Sequence, residues 1–149
     1  MKYTDGKNIM VYAQSADGAP VGAALETVSK AAELAKANGE EVIAVVFGKD
    51  TDTKTVITAG ASKVLVAGEE GLQAEEKAQI LVKLAEKYQP KAVYMAGTPE
   101  GKMIAPAVSA VFESGCVTDV TGITADGVYT SLSYNGNVLN DMKMGENLP

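Results

Sequence analysis

An α/β protein, built on a mostly parallel sheet with helices on both faces and an antiparallel extension at its C-terminal end, is the fold class this sequence predicts. Short apolar runs alternate with amphipathic stretches as far as Gly115, the grammar of strands joined by crossover helices. Two of the runs, Ile9 to Ala13 and Val42 to Phe47, are apolar at every position, as a strand covered on both sides requires. After Gly115 the pattern changes to Val- and Thr-rich segments separated by turn residues, which reads as hairpins.

Each element follows from its residues. Ile9 to Ala13 (I-M-V-Y-A) is the first strand. Asp17-Gly18-Ala19-Pro20 is a turn, with Pro20 suited to the first turn of the next helix. From Val21 to Asn38 the apolar residues Val21, Leu25, Val28, Ala32 and Ala35 fall on one helical face, and Gly39 stops it. Val42 to Phe47 is the second strand. Asp52 to Ala59 is a short, β-branched helix ended by Gly60, and Lys63 to Ala67 is the third strand. Gln73 to Tyr88 places Ala74, Ala78, Leu81, Leu84, Ala85 and Tyr88 on one face, and Pro90 closes that helix. Ala92 to Ala96 is the fourth strand, Gly97 to Gly101 a loop, and Lys102 to Glu113 a helix in which Pro106 must sit near the first turn or kink it. Cys116 to Ile123 then reads as a fifth strand and Val128 to Tyr134 as a sixth. Asn135-Gly136 is a hairpin turn signal, and Asn137 to Met144 is the return strand.

Length and composition bound what this fold can do. The chain has 149 residues, one domain by length, and is 46% hydrophobic and 21% charged, an ordinary globular balance. It contains no His, which excludes a Ser-His-Asp triad, a Cys-His pair and His-ligated zinc. The single Cys excludes an internal disulfide and a thiolate metal cage. With no Trp, two Phe and a net charge of −6, neither a base-stacking platform nor a phosphate-backbone surface is expected, so nucleic acid is not a partner. No apolar run approaches the ~20 residues needed to span a bilayer, so no membrane insertion is expected. Together with the lone thiol this points to a soluble, cytoplasmic protein. The Leu148-Pro149 end, coming straight after a hairpin, is abrupt. It fits either a natural polypeptide that continues or a cut domain.

Open parallel sheets bind ligands at the carboxyl ends of their strands, so the loops there carry the candidates. Gln14-Ser15-Ala16-Asp17-Gly18 holds one Gly, too few to bring backbone against a pyrophosphate, and reads as a turn. Gly97-Thr98-Pro99-Glu100-Gly101-Lys102 reads two ways. It is a strand-to-helix turn, or a contact at which free N–H groups and Lys102 meet an anion, with Glu100 opposing a phosphate. Thr118-Asp119 places a carboxylate in an apolar, Thr-rich strand, which needs a partner or an edge. Cys116 reads as a small buried hydrophobe, and Glu69-Glu70 with Glu75-Glu76 as a solvated acidic rim. Met10, Met95 and Met103 fall in core patterns, whereas Met142 and Met144 alternate on the last strand and suit a partner-facing surface. No catalytic constellation is visible, and no metal site.

The order of motifs goes further than their chemistry. Ile9-Met10-Val11-Tyr12-Ala13 is followed by Gly60 through Val66 and then by Gly97-Thr98-Pro99-Glu100-Gly101-Lys102-Met103-Ile104-Ala105-Pro106. Gly115 through Thr121 and Tyr134-Asn135-Gly136-Asn137 complete the series. In this order and spacing the chain resembles the N-terminal domain of the electron transfer flavoprotein alpha subunit along nearly all its length, as a single domain over residues 1–149. It departs from the family's usual Gly-Arg at Gly101-Lys102, from Arg-Pro at Ser131-Leu132 and from Ala-Gly-Asn at Asn135-Gly136-Asn137. Lys does not reproduce the planar fork of Arg.

The resemblance implies a Rossmann-like, three-layer α/β/α domain of the adenine nucleotide alpha hydrolase-like type. It implies a scaffold that packs against an electron transfer flavoprotein beta subunit, with an acyl-CoA or other dehydrogenase as indirect partner, and an electron-transfer carrier component in place of an enzyme. FAD belongs to a C-terminal domain not present here, and AMP or a second FAD to the beta subunit, so this domain alone is expected to hold no cofactor. Gly101, Lys102, Thr118 and Asp119 are the candidate rim contacts toward a cofactor held by the partner. Two rivals stand beside this reading. A free-standing universal-stress-type nucleotide-binding domain would carry a Gly-x2-Gly-x9-Gly loop after its fourth strand, and Gly97, Gly101 and Gly115 have other intervals. A small hydrolase or ligase would need a nucleophile-base pair.

Overall fold

The computed structural model describes residues 6–69, 71–112, 116, 120–123, 128–133 and 138–143. β1 (Ile9–Tyr12) leads through a short hairpin, β2 (Ser15–Ala16) and β3 (Ala19–Pro20), into α1 (Gly22–Ala37). Then come β4 (Val42–Phe47), α2 (Thr53–Ala59), β5 (Lys63–Ala67), α3 (Ala74–Tyr88), β6 (Ala92–Met95) and α4 (Pro99–Phe112). The chain continues with β7 (Val120–Ile123), β8 (Val128–Ser133) and β9 (Val138–Lys143).

β1, β4, β5 and β6 form one parallel sheet in the order β5-β4-β1-β6, with Ile9 opposite Val42 on one side and Ala92 on the other. All of β1 and β4 is buried, as their unbroken apolar sequence requires. Alternation along the strands divides the core in two. Ile9, Val11, Val42, Ala44 and Val46 pack against α1 and α2 through Ala24, Val28, Ala31, Leu34 and Val56. Met10, Tyr12, Val45 and Phe47 pack against α3 and α4 through Ala78, Leu81, Ala85, Ile104, Val108 and Phe112. The result is the three-layer α/β/α arrangement.

The start of the sheet is fastened by Asn8, which adopts a left-handed conformation (φ 74°). Its N–H donates to Glu40 Oε2 at 2.8 Å, its Oδ1 accepts from Glu41 N–H at 2.9 Å, and its carbonyl accepts from Lys91 N–H at 2.9 Å. Lys91 and Glu40 close the same cluster as an ion pair. One residue thereby ties together the entries to β1, β4 and β6.

Several elements differ from the sequence reading, each for a local reason. Asp17 (φ 52°) and Gly18 (φ 79°) both have positive φ, so this turn is the two-residue loop of a tight hairpin, and Pro20 lies in β3, outside the helix. The α1 stripe is rotated, with Ala24, Ala31 and Leu34 at its centre while Val21, Leu25 and Ala32 flank it, because small residues let the helix approach the sheet closely. α4 starts at Pro99, three residues before the expected Lys102, which makes Pro106 a helix-interior residue on the exposed side. Met103 is 59% exposed, since α4 buries Gly101, Ile104, Val108 and Phe112, and Met103 lies about 100° away from Ile104 around the helix. Cys116 is exposed, outside any strand.

The fifth strand is the largest difference. Among the described residues the parallel sheet has four strands, and β7 pairs antiparallel with β8, which pairs antiparallel with β9 in a separate three-stranded sheet. The register shifts between Val120 and Gly122, where a strand glycine accommodates an irregularity. β7 therefore begins the antiparallel extension, and Ile123 packs against the α1 side of the core. The Asn135-Gly136 turn, Met144 and Leu148 lie outside the described residues, as does Glu70. No helix among the described residues is long and apolar enough to cross a membrane.

Candidate functional site

The sheet order defines a switch point. From β1 the chain moves through β4 to β5 on one side, then crosses by α3 to β6 on the other side of β1. The crevice between the carboxyl ends of β1 and β6 is where sheets of this class hold ligands. In this chain it is bridged by the protein's own side chains.

Thr98, directly after β6, caps α4. Its Oγ1 accepts from Gly101 N–H at 3.1 Å, its carbonyl accepts from Lys102 N–H at 2.9 Å, and Pro99 fills the first helical position, where no N–H is needed. The same hydroxyl donates to Gln14 Oε1 at 2.5 Å, so the segment after β6 is joined to the segment after β1. The next residue but one, Glu100, points back over the sheet. Its Oε2 accepts from the Tyr12 hydroxyl at 2.9 Å and its Oε1 from Lys77 Nζ at 2.5 Å, while Lys77 also donates to the Tyr12 oxygen at 3.2 Å. Three elements, β1, α3 and α4, thus meet in one closed triangle.

The triangle is largely desolvated. The Lys77 and Glu100 side chains are 12% and 22% exposed. Lys77 Nζ also lies 5.6 Å from the Phe47 ring centre and 5.8 Å from that of Tyr12, and the two rings meet edge to face at 5.6 Å. Beside it is a cleft of about 240 Å³ lined by Tyr12, Ser15, Asp17, Phe47, Gly71 and Lys77. Burial, and after it the hydrogen bond and charge of Glu100, push the Tyr12 phenol well above its ordinary range. A raised folded-state pKa means that the unfolded chain releases this proton first. The stabilisation is therefore intact below pH ~10 and is lost as pH rises past it. Urea midpoints measured between pH 8 and 11 should fall at the alkaline end, and Tyr12→Phe should flatten that fall.

The four sequence candidates have different fates. Gly101 is buried in the first turn of α4, and a Cβ built on it would come 2.1 Å from the Ala96 carbonyl oxygen, so the glycine is what lets α4 lie this close to β6. Lys102 is exposed at the same helix start. Thr118 and Asp119 lie outside the described residues. The strand that follows them, β7, hydrogen-bonds to β8 and does not neighbour β6 in the parallel sheet. Glu100, expected to oppose a phosphate, is instead occupied by Lys77 and Tyr12. Among the described residues no cluster of His, Cys, Asp or Glu could hold a metal ion. Sequence reasoning missed Tyr12, Gln14, Lys77 and Glu100 as a group. The Thr98-Pro99 pair, an N-cap followed by proline, was a signal that could have placed the α4 start.

A Rossmann-like α/β domain whose switch-point crevice is bridged by its own side chains is the class that the geometry defines. Residues 9–148 match the family described as "Electron transfer flavoprotein domain", and the chain belongs to that family. It is 29% identical over 131 residues to the electron transfer flavoprotein subunit alpha of Clostridium acetobutylicum, covering 85% of this chain and 39% of that protein. It is 27% identical over 154 residues to the subunit alpha of Thermoanaerobacterium thermosaccharolyticum, covering 97% of this chain and 47% of that protein. The chain thus spans less than half the length of these relatives. Among solved structures it is similar to a universal stress protein in complex with cAMP, with a TM-score of 0.43 and 15% identity over 71% of this chain and 92% of that one.

Proposed function

We propose that this chain is the N-terminal scaffold and docking half of an electron transfer flavoprotein alpha-type subunit. In this reading it supports FAD-mediated electron transfer from dehydrogenases, acyl-CoA dehydrogenases or others, through association with a beta subunit in the cytoplasm. It is a carrier component and holds no FAD by itself.

The observation that carries the reading is the bridged crevice. A dinucleotide there would need glycines that bring backbone N–H groups to its pyrophosphate and a free helix start. Here the N–H of Gly101, the third residue of α4, goes to Thr98, the loop after β1 is a tight hairpin, and Glu100 occupies the space between β1 and α4. These residues do not fit FAD, and no electron-transfer step is assigned to them. The part left to this domain is to present a surface, with Lys102 at the exposed start of α4 and Thr118 and Asp119 as further proposed rim contacts toward a cofactor held by the partner.

Two measurements test it. Titration of the chain alone with FAD should give no saturable binding at micromolar concentration, and one site per chain would overturn the reading. In a complex assembled with a beta-type subunit and an FAD-binding half, Lys102→Glu should leave melting within about 2 °C of the parent, since exposed substitutions change stability by only ~0.5 kcal/mol. It should weaken cofactor retention or electron transfer. A variant that assembles and transfers electrons like the parent reduces this rim to a structural turn.

A further inference from the structure

Among the described residues β5 is an edge strand, hydrogen-bonded only to β4. The carbonyls of Glu41 and Val45 accept from the N–H groups of Ile9 and Ala13, so Ile43, Val45 and Phe47 turn their backbone toward β1. Val42, Ala44 and Val46 therefore turn toward β5, because backbone direction alternates along a strand. In the observed register, with Ile43 opposite Lys63, they bond to Lys63, Leu65 and Ala67. The N–H and C=O groups of Val64 and Val66 are left facing the open edge.

Natural edges are usually blunted by charge, proline or a bulge. β5 has the sequence K-V-L-V-A, and its one charge, Lys63, is folded over the Tyr88 ring of its own α3 at 5.6 Å. Val64 packs on the α1 and α2 side and Leu65 on the α3 side, so Val66 shares the side of Val64. That side is thinly covered, since α2 has seven residues. Val66 is 49% exposed and Ile57 of α2 is 54% exposed.

We propose that β5 is a self-association edge, on which a second copy of this chain adds its own β5 antiparallel about a two-fold axis through Leu65. This register pairs Val64 with Val66 of the second copy, and Val66 with its Val64, so that both open residues on each strand are used. It sets the two Leu65 residues against each other as a close, non-hydrogen-bonded pair. Charge supports a second copy as the occupant. Lys63 falls opposite neutral Ala67 and diagonally near Glu69 of the other chain, with no like charges opposed. The interface is isologous and closed, so it stops at a dimer with a continuous sheet. It lies at the far edge of the sheet from the crevice, and it does not depend on the proposed function.

The test is sedimentation velocity on the full 149-residue chain, combined with amide hydrogen exchange. The expected result is a dimer, half-formed on the order of 100 μM, as suits a small interface. On dimerisation the amides of Val64 and Val66 should become protected, while those of Leu65 and Ala67 are protected throughout. Val66→Lys should weaken the dimer at least tenfold with melting retained. Val66→Pro removes an edge donor without touching the β4 ladder and should do the same. A monomer persisting to about 1 mM, a dimer indifferent to both variants, or protection confined to other elements would each overturn the proposal.

Discussion

Replacing Gly101 by alanine should lower the melting temperature by about 4–8 °C, the equivalent of about 2 kcal/mol in a domain of this size. The new methyl would sit 2.1 Å from the Ala96 carbonyl oxygen, a backbone atom that cannot swing aside. α4 must then move off β6, and Ile104 and Val108 lose part of their packing against the sheet. Alanine's better helix propensity returns only about 1 kcal/mol of this. Gly97→Ala is the control. It lies four residues earlier, in the turn before α4, has no atom within 4 Å of its would-be Cβ, and should change stability by less than about 0.5 kcal/mol. Thermal melts of the two variants side by side separate a close approach from a general intolerance of substitution at this strand-to-helix junction.

Glu100→Ala should also be costly, by about 2–3 kcal/mol. It removes the acceptor of both Tyr12 and Lys77 and leaves an ammonium with 12% exposure facing two aromatic rings. Breaking one half of a fully buried pair costs more, but the 22% exposure of Glu100 lets water supply part of the loss. The double variant Lys77→Met/Glu100→Gln should be less destabilising than the two single changes added together, because no unpaired charge remains. A coupling of about 1–2 kcal/mol is expected from the four urea unfolding curves of that cycle. Additive single effects would mean that the triangle is three separate contacts, each satisfied by solvent.

How far the fold could be read beforehand depended on whether the cause was local. β1 and β4 announced themselves because a strand covered on both faces has to be apolar throughout, and α3 because its spacing is periodic. β7 was legible as a strand and misassigned as a neighbour, since a Val- and Thr-rich run looks the same in a parallel sheet and in a hairpin. Only the partner decides, and the partner of β7 follows it in the chain. Met103 was misread for a different reason. α4 carries no charge from Met103 to Phe112, so its apolar pattern does not distinguish the buried side from the exposed one. The triangle of Tyr12, Lys77 and Glu100 was out of reach. Its members come from β1, α3 and α4 and meet only because α3 carries the chain to the far side of β1, a property of topology and of no local pattern. Glu100 was judged by its charge alone, when its neighbours determine what that charge does.

The division of the core into two clusters has a consequence for how the chain is made. The first cluster draws its buried residues from between Ile9 and Ala61, whereas the second needs Ala78 through Phe112. Because synthesis runs from the N-terminus, a ribosome-bound chain can close the α1 and α2 side while Met10, Tyr12, Val45 and Phe47 still face outward as a bare sheet surface. During that interval one edge of β1 also lacks β6, and the Tyr12 hydroxyl lacks its carboxylate. Until Ala78 through Phe112 have been made, that aromatic and aliphatic side of the sheet lacks the residues that cover it in the finished domain.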